Sequence, residues 1–452
     1  MKKLIPQSLK NIYHLAQAVL ANFMYGWPAR SATHSVAGGP SKSIKVIGVT
    51  GTDGKTTTVQ MITRILEEAG HKVAMASTIN YRINGREWKN LSHFTTLSSF
   101  AVQKFILDAV KERCEYLVLE TSSHSLDQFR VWGVPYQTAV ITNVTREHLD
   151  YHTTMERYRQ AKSKLFRKAK IAIVNADMEK PEDFLRFNNE QQIVYTCHPE
   201  RSGAESKDLI RVDSSVASRG ETSLGMTKFI KAENIKLGIN KSDFIVDNQK
   251  FTLNLIGDFN IENALAAISV GVSEKIELAT CARALEKITN VPGRMEYVAN
   301  ERGLNILVDF ALTPHALEEL YTLLAKIKKP AAKVIAVFGS CGERDRGKRP
   351  IMGEIVSRHA DLVIVTNDEP YREDPRQIIN EIVAGIKNKK ENESLFIIPD
   401  RREAIRKALQ LAQIDDIVAV TGMGEFESMI VGTQKIPWND RKVILEELQK
   451  LQ

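Results

Sequence analysis

Several features that identify other protein classes are scarce or missing in this sequence. Only four cysteines occur among 452 residues, at positions 114, 197, 281 and 341. They are too widely spaced for a zinc-binding pattern or a disulfide framework, so a reducing cytoplasm is the expected compartment. No signal-peptide cleavage site of the usual kind follows the N-terminus, and no short repeat is visible. A secreted, disulfide-stabilised protein is therefore not expected.

The chain also lacks a strong charge of either sign. Its 62 basic and 55 acidic side chains give a formal net charge of +7, spread along the sequence. This distribution is not the footprint of a nucleic-acid-binding protein, although it suits a polyanionic substrate such as a nucleotide. Hydrophobic residues make up 43% and charged residues 26%, which is typical of a globular protein with two or three domains at this length.

The apolar stretch near the N-terminus is too short to predict a membrane span. It runs from Ile12 to Trp27 and contains His14, Gln17 and Asn22. One interpretation is a helix packed on the body of the protein. The other is an interfacial helix that makes peripheral membrane contact. The basic residues near anionic headgroups would then be Lys2, Lys3, Lys10 and Arg30.

The rest of the chain alternates buried-strand runs with helical stretches, which predicts an α/β fold. Residues 1–43 are expected to form a helical arm and linker. Residues 44–296 should form a central P-loop ATPase domain with a parallel sheet and a polar insertion at about 199–227. Residues 297–452 should form a smaller Rossmann-like α/β domain, because the alternation restarts after Val291-Pro292-Gly293-Arg294.

A glycine loop lies between the first predicted strand of this domain and the following helix. Such a loop cradles phosphate with its backbone N–H groups, while Lys55 contacts the β- and γ-phosphates and the Thr56 hydroxyl contacts Mg²⁺. The spacing differs from the usual phosphate loop, since five residues separate Gly48 from Gly54. The predicted ATP-binding residues here are Gly51, Thr52, Asp53, Gly54, Lys55, Thr56 and Thr57.

Three further motifs follow buried strands or lie on a helix. Glu120 follows a strand and is either a Mg²⁺ ligand or a helix cap. His148 lies in a polar segment after another strand and is either a metal ligand or a packed histidine. Lys162 lies on an amphipathic helix whose basic face, considered alone, is best interpreted as a solvated surface.

Taken in order, the motifs of this chain closely resemble those of the Mur ligases. Within that family they are most similar to the MurE type, the UDP-N-acetylmuramoyl-tripeptide synthetases of peptidoglycan assembly. The motifs, from about Ile44 to Met429, are G-T-D-G-K-T-T-T, T-T, E-T-S-S-H, T-N-V-T-R-E-H-L-D-Y-H, Y-R-Q-A-K-S-K-L-F, G-D-F-N-I-E-N, P-G-R-M-E, V-D-F-A-L-T-P, F-G-S-C-G-E-R-D-R-G-K-R-P and T-N-D-E-P-Y.

The resemblance implies an ATP-dependent ligase that forms an acyl phosphate and then an amide with an incoming amino acid. It implies catalytic roles for Lys55, Glu120, His148 and Lys162, with metal ligands at Thr56, Glu120 and His148. Lys162 matches the lysine that family members carbamylate to N6-carboxylysine. The implied cofactors are ATP and Mg²⁺, and the implied oligomeric state is a monomer.

The resemblance also implies further binding residues. For ATP these are Asn260, Arg294, Asp309, Lys348 and Arg349. For the muramoyl-peptide acceptor they are Thr95, Thr96, Ser122 and Arg130. For the amino acid they are Asp368, Glu369, Tyr371, Glu425 and Glu427.

Three departures from the family pattern bear on the substrates. About fifty residues precede the glycine loop, where a MurE-type protein usually has about a hundred that grip the uridine nucleotide, so most of that domain is expected to be missing. Tyr371 replaces the arginine of the usual D-N-P-R, although Arg372 follows it, and this change leans towards lysine or another diamino acid over meso-diaminopimelate. Leu312 replaces the histidine of A-H-T-P, and Leu97 the proline of T-T-P.

Two alternative functions remain open at this point. A folylpolyglutamate-synthetase-like ligase also lacks the uridine domain. A MurT-like partner of a glutamine amidotransferase, acting on a lipid-linked precursor, would suit the short N-terminal region, although the dispersed cysteines do not fit the zinc insertion of that group. The main hypothesis is a MurE-like ligase whose acceptor is nucleotide-linked or lipid-linked, in the cytoplasm.

Overall fold

The computed structural model describes residues 6–31, 43–92, 94–197, 227–238 and 241–451. The predicted linker and polar insertion fall on residues 32–42 and 198–226, outside the described residues. The chain divides into two compact units. The first comprises Met1–Val144 and Thr154–Thr289, and the second comprises Thr145–Thr153 and Asn290–Gln452.

A nine-stranded sheet forms the centre of the first unit, with the strand order β4-β3-β2-β5-β1-β6-β7-β8-β9. Strands β2 and β5 through β9, together with β1, run parallel, and β3 and β4 are antiparallel additions at one edge. The strands are β1 Lys45–Thr50, β2 Val73–Ala76, β3 Asn80–Ile83, β4 Arg86–Lys89, β5 Tyr116–Glu120, β6 Tyr136–Ile141, β7 Ile171–Asn175, β8 Gln191–Thr196 and β9 Thr227–Lys231.

Helices and a small antiparallel sheet complete the first unit. The three-stranded sheet comprises β10 Glu233–Leu237, β11 Ser242–Val246 and β12 Gln249–Leu253. The helices are α1 Gln7–Met24, α2 Pro28–Ser31, α3 Lys55–Glu68, α4 Ser99–Lys111, α5 Ser123–Asp127, α7 Met155–Ser163, α8 Glu182–Leu185, α9 Asp258–Ser273 and α10 Leu278–Glu286, with a 3₁₀ turn at Phe166–Lys168. No helix in the described ranges is long and apolar enough to cross a membrane.

The second unit is built on a six-stranded sheet with the order β13-β14-β18-β15-β16-β17, in which only β13 is antiparallel. Its strands are β13 Glu296–Val298, β14 Asn305–Asp309, β15 Val334–Phe338, β16 Leu362–Val365, β17 Leu395–Ile397 and β18 Ile417–Thr421, followed by the hairpin β19 Ser428–Val431 and β20 Gln434–Pro437. Its helices are α6 Leu149–His152, α11 Pro314–Ile327, α12 Lys348–His359, α13 Pro375–Val383, α14 Arg401–Leu411 and α15 Asp440–Lys450.

The apolar pattern of the strands explains why both sheets form. The central strands β1, β5 and β15 are buried along nearly their whole length, as expected for parallel strands covered on both faces. In each unit, loops at the carboxyl ends of the parallel strands carry the polar motifs, which is where open α/β sheets bind ligands. The predicted α/β fold with two sheets and a short helical arm is confirmed.

Candidate active site

The glycine loop of the first unit connects β1 to α3. Gly54 is the N-cap of α3 and has a φ of 79°, in the left-handed region that glycine tolerates. A Cβ atom at Gly54 would clash with Asn263 Oδ1, and one at Gly51 would clash with Thr142 Oγ1. Both glycines are therefore required by close packing. The loop ends at a helix N-terminus, where backbone N–H groups and the helix dipole favour an anion.

Residues that follow β6 shape this loop from one side. Asn143 Oδ1 accepts hydrogen bonds from the backbone N–H groups of Thr52 at 3.1 Å and Asp53 at 2.9 Å. The Thr142 hydroxyl donates to the Asp53 carbonyl at 2.6 Å. The loop conformation is thus built by two residues about ninety positions away in sequence, which loop spacing alone does not reveal. Lys55 Nζ donates to the Thr52 carbonyl at 2.7 Å.

Glu120 ends β5 and is almost fully buried beside the start of α3. The Thr56 hydroxyl donates to its carboxylate, at 3.2 Å to Oε1 and 3.1 Å to Oε2. Thr78 also donates twice, from its hydroxyl at 2.8 Å and from its N–H at 2.7 Å. The structure therefore brings the predicted pair Thr56 and Glu120 together. Thr78 was not predicted, since it lies in a loop without a recognisable motif.

Lys162 lies at the C-terminal end of α7, and its side chain is buried against the glycine loop. Its Nζ donates to the Gly51 carbonyl at 2.6 Å and lies 4.3 Å from the centre of the Tyr158 ring. The Tyr158 hydroxyl is itself 3.2 Å from Thr52 Oγ1. The interpretation of this helix as a solvated basic face is therefore wrong for Lys162, because the lysine is packed inside the unit.

The residues predicted for the acceptor cluster around the carboxyl end of β5. The Thr96 hydroxyl donates to the Glu120 carbonyl at 3.0 Å and lies 3.2 Å from Ser122 Oγ. Arg130 Nη1 donates to the Thr96 carbonyl at 2.7 Å. Thr95 precedes this group and is half-buried. Thr96, Ser122 and Arg130 thus form one polar patch next to Glu120, and Thr95 adjoins it in sequence.

Asn260 lies in the first turn of α9, and its amide group is held by neighbouring turns. Its Nδ2 donates to the Ile256 carbonyl at 2.9 Å, and its Oδ1 accepts from Asn263 Nδ2 at 3.3 Å. Asn263 Oδ1 in turn accepts from the Thr58 hydroxyl at 3.2 Å. Asn260 is thereby connected to α3, and Asn263 is a supporting residue that the sequence did not single out.

In the second unit, a buried ion pair joins the segment Thr145–Thr153 to α12. Lys348 Nζ contacts both carboxylate oxygens of Glu147, at 3.0 and 3.1 Å, and donates to the Leu312 carbonyl at 2.8 Å. His148 has a φ of 57°, and its Nδ1 lies 3.9 Å from Glu147 Oε1. Burial raises the pKa of nearby Asp150. Glu147, the anchor of this cluster, was not among the predicted site residues.

The other predicted nucleotide residues of the second unit have different environments. Arg349 is fully buried, and its guanidinium contacts Glu373 at 2.9 Å and Glu381 at 2.6 Å. These contacts tie α12 to α13, so its predicted role in ATP binding stays a prediction. Arg294 stacks over the Phe310 ring at 4.3 Å. Asp309 accepts backbone hydrogen bonds from residues 295 and 311, each at 2.7 Å.

Asp368 lies beyond β16 in a fully buried charge cluster. Its Oδ1 contacts Arg401 Nη1 at 2.5 Å, and Arg401 also pairs with Asp440 at 2.7 Å. Burial, opposed by Arg401 and reinforced by the charge of Asp440, raises the pKa of Asp368 to about 7. Among the described residues, Asp368 Oδ2 and the neighbouring buried Ser340 Oγ have no hydrogen-bond partner. Arg401 and Asp440 were not predicted from the sequence.

The remaining residues predicted to select the amino acid lie in two segments, one following β16 and one preceding β19. Buried Glu369 accepts from the Ile430 N–H at 3.1 Å and from the Tyr371 hydroxyl at 3.3 Å. Tyr371 has a φ of 52°, and Arg344 lies 5.5 Å from the centre of its ring. Glu427 pairs with Lys442 at 2.9 Å. Glu425 follows Gly424, whose φ of 53° turns the chain in the segment before β19.

The first unit contains a cluster of metal-ligand-type side chains that the spacing of the cysteines in sequence does not reveal. The ligand-type atoms of Asp177, Cys197 and Glu262 all lie within 4.8 Å of one another. Burial and the charge of Asp177 raise the pKa of Glu262 to about 7. Cys197 Sγ donates to Glu262 Oε1 at 3.5 Å, and Asn175 donates to Glu262 Oε2 at 3.0 Å.

Comparison with known proteins accounts for both units. Residues 49–271 match the Mur ligase middle domain, and residues 293–424 match the Mur ligase, glutamate ligase domain. The chain belongs to the Mur ligase family. The resemblance stated from the motifs is therefore confirmed.

Relatives and solved structures agree with this assignment. A UDP-N-acetylmuramoyl-L-alanyl-D-glutamate–2,6-diaminopimelate ligase from Clostridium botulinum is 38% identical over 421 residues, covering 92% of this chain and 80% of the relative. A UDP-N-acetylmuramyl-tripeptide synthetase from a Roseiflexus species is 37% identical, covering 89% and 78%. A solved diaminopimelate ligase of the same name as the first has a TM-score of 0.57 at 28% identity, covering 91% and 79%. The predicted class, a ligase of the MurE type, is confirmed.

Proposed function

We propose that this Mur ligase uses ATP to join a diamino acid to the carboxylate of a muramoyl-dipeptide acceptor during peptidoglycan assembly in the cytoplasm. The observation that carries the proposal is the buried Glu120 carboxylate held by Thr56 at the start of the helix after the glycine loop. A helix N-terminus that can bind phosphate, beside a threonine and a carboxylate that can hold Mg²⁺, is the arrangement of phosphoryl-transfer sites with a phosphate loop. The names of the relatives support the acceptor and the amino-acid class.

The donor groups beside the loop fit Mg²⁺. A threonine hydroxyl and a carboxylate are hard oxygen donors, which this ion prefers. Thr56 and Glu120 would hold one ion, and the His148 imidazole would contribute to a second. Bound Mg²⁺ would offset the repulsion between the acceptor carboxylate and the γ-phosphate. Lys55 and the N–H groups at the start of α3 would hold the β- and γ-phosphates.

The reaction has two balanced steps. An acceptor carboxylate oxygen attacks the γ-phosphorus of ATP, the bond to the bridging oxygen breaks, and ADP leaves. The amino group of the incoming amino acid then attacks the carbonyl carbon of the acyl phosphate, phosphate leaves, and the nitrogen loses a proton. Phosphorylation is needed because a free carboxylate is a poor electrophile. The loop residues bind and orient ATP for the first step.

Lys162 is proposed to act as a carbamate. Its neutral amine would add to CO₂ and release a proton, giving N6-carboxylysine. This change would replace a cation with a carboxylate-like anion beside the Gly51 carbonyl, and that anion could assist a bound metal ion. The buried position of Lys162 at 2.6 Å from the loop supports the proposal, because a buried site protects the carbamate from water.

The remaining residues are proposed to bind substrates. The acceptor, which is either nucleotide-linked or lipid-linked, would be held by Thr95, Thr96, Ser122 and Arg130. Nucleotide contacts are assigned to Asn260, Arg294, Asp309, Lys348 and Arg349. The amino acid would meet Asp368, Glu369, Tyr371, Glu425 and Glu427.

Tyr371 is the residue that bears most directly on the choice of amino acid. The Tyr371 hydroxyl donates to Glu369 and carries no positive charge for a second substrate carboxylate. We therefore favour lysine or another diamino acid over meso-diaminopimelate.

The test is a competition experiment. The protein, ATP, Mg²⁺ and UDP-N-acetylmuramoyl-L-alanyl-D-glutamate are incubated with an equimolar mixture of lysine, ornithine and meso-diaminopimelate, and the product is identified by mass spectrometry. A tripeptide product with a diamino acid supports the proposal, and preference for lysine or ornithine supports the role of Tyr371. A Tyr371→Arg variant should shift the product ratio towards meso-diaminopimelate. If no amino acid is incorporated, the ligase proposal fails for this acceptor, and the lipid-linked acceptor is tested in the same way.

A further inference from the structure

The outer face of α1 is apolar and exposed, which reverses the usual arrangement of a surface helix. At 100° per residue, its exposed side chains fall within one continuous stripe. Phe23 is 78% exposed and Ile12 is 62% exposed. We define the outer face as Leu9, Ile12, Tyr13, Ala16, Val19, Leu20, Phe23 and Met24. A contiguous apolar patch of this length marks an interaction site.

The opposite face of α1 is fixed to the first unit, so the helix cannot simply rotate to bury its outer face. Ala18, Ala21 and Asn22 are buried, and α1 packs against α4. Asn22 Nδ2 donates to the Trp132 carbonyl at 2.9 Å, and Asn11 Nδ2 donates to Asp127 at 3.2 Å. These long-range contacts orient the helix and present the outer face away from the body of its own unit.

Charge and aromatic content indicate what covers the outer face. The first 31 residues contain four basic side chains and no acidic one. At the end of the helix, the rings of Trp27 and Trp132 lie 5.6 Å apart, and Trp132 is partly exposed. Exposed aliphatic side chains flanked by basic and tryptophan side chains are the composition of helices that lie in the lipid headgroup region.

We propose that the outer face of α1 docks on an anionic lipid surface, with the helix lying in the plane of the headgroups. A second copy of the chain would cover the apolar stripe equally well, but it would bring two sets of basic side chains together without a counter-charge. An anionic lipid supplies that counter-charge. The inference goes beyond the proposed ligase function and does not depend on it.

The experiment is flotation of the full chain with vesicles of phosphatidylcholine containing one third phosphatidylglycerol. The protein should float with these vesicles, bind vesicles of pure phosphatidylcholine much less, and lose binding as salt is raised. The variant Ile12→Glu/Phe23→Glu should weaken binding on the order of tenfold or more, because it places two acids in the apolar stripe. The matched control Tyr297→Glu/Ile414→Glu alters two exposed apolar side chains of the second unit and should bind like the unchanged protein.

Thermal unfolding and sedimentation velocity make the outcome decisive. All three proteins should unfold at similar temperatures, since the substituted side chains are exposed. Absence of flotation by the folded, unchanged chain would overturn the proposal. So would a dimer that Ile12→Glu/Phe23→Glu dissociates, because a second copy would then be the occupant of the outer face. Equal loss of binding in both double variants would also overturn it.

Discussion

In each unit a buried acid lies at the carboxyl ends of the parallel strands, which we call the first edge in the first unit and the second edge in the second unit. The hydrogen-bond and ion-pair partners of these two acids differ. At the first edge, both oxygens of Glu120 accept hydrogen bonds from neutral donors on Thr56 and Thr78. At the second edge, Asp368 depends on one cation, Arg401, which it shares with Asp440. Its second oxygen has no hydrogen-bond partner among the residues described.

Several neutral hydrogen bonds hold the acid of the first edge, whereas a single shared cation holds the acid of the second edge. Glu120 has three neutral donors, namely the Thr56 hydroxyl, the Thr78 hydroxyl and the Thr78 N–H. Removing one leaves two others, so the first edge should keep its shape when a single side chain is changed. Removing Arg401 leaves two buried carboxylates without a counter-charge, which is a structural loss. Substitutions at the first edge are therefore expected to reduce activity, and those at the second edge to reduce stability.

The largest effect should come from Lys55→Met in the glycine loop. Loss of the cation that we propose to neutralise the transferred phosphate should lower kcat by about 10³-fold or more, with little change in unfolding temperature. Phosphate release under saturating substrates measures the effect. Lys104→Met, which removes an exposed lysine paired with Asp108, is the matched control and should keep full activity. A large loss of stability in Lys55→Met would contradict the expectation that substitutions at the first edge affect activity and not stability.

Arg401→Met should destabilise the second unit by about 3 kcal/mol, because Asp368 and Asp440 remain buried without their partner. Denaturant unfolding measures this change. Arg402→Met removes the neighbouring, partly exposed arginine, which pairs with Glu446 and with the buried Glu447. It should cost much less, because Glu447 keeps its ion pairs with Arg406 and Lys450. If the two variants unfold alike, the buried charge cluster does not support the second edge.

Lys162→Ala should lower the rate of amide formation by about 10²-fold, a loss typical of removing one preorganised electrostatic group. Short carboxylic acids should restore part of the activity by occupying the vacated space with an anion. Lys164→Ala, two residues away and paired with Asp127, should need no rescue. Unaltered activity in Lys162→Ala would contradict the proposal that a carbamate on Lys162 assists catalysis.

The smallest effect concerns the pH dependence of stability at Glu262. Its pKa of about 7 in the folded protein lies above the ordinary value of 4.5, so the folded form holds the proton more tightly. The resulting stabilisation is complete below pH 4.5 and is lost as the pH rises through 7. Glu262→Gln stays neutral, so its stability relative to the unchanged chain should rise by about 2 kcal/mol between pH 4.5 and 8.

Unfolding midpoints across that pH range measure the effect, with Glu190→Gln, an exposed glutamate, as the control. A difference that stays flat with pH would show that Glu262 does not titrate as its surroundings indicate.

The sequence predicted the parts of the site that are local. Lys55 and Thr56 follow the loop after β1, and Glu120 ends β5, which is the parallel neighbour of β1 in the sheet, so sheet topology alone brings them to one edge. Burial of Lys162 was not evident from its own helix, whose charged pattern indicates a solvated face. Only the resemblance to the Mur ligases assigned it a role at the loop.

Contacts between distant segments could not be predicted in this way. Thr78 donates to Glu120 across 42 residues of sequence, and Asn143 accepts hydrogen bonds from the glycine loop about ninety residues away. Neither residue has a motif of its own. The ion pairs of Arg401 could not be predicted, because a single arginine at the start of a helix does not indicate which acid it neutralises. The exposed stripe of α1 was also undecided, since an amphipathic pattern does not tell which face meets the protein.

Phosphate release from ATP, measured with each substrate omitted in turn, tests most directly whether this protein is an ATP-dependent ligase. We expect release to require both the muramoyl-dipeptide acceptor and the amino acid, with one phosphate released for each amide formed. Steady release that is indifferent to the amino acid would contradict it, because the glycine loop and Glu120 would then support ATP hydrolysis without ligation.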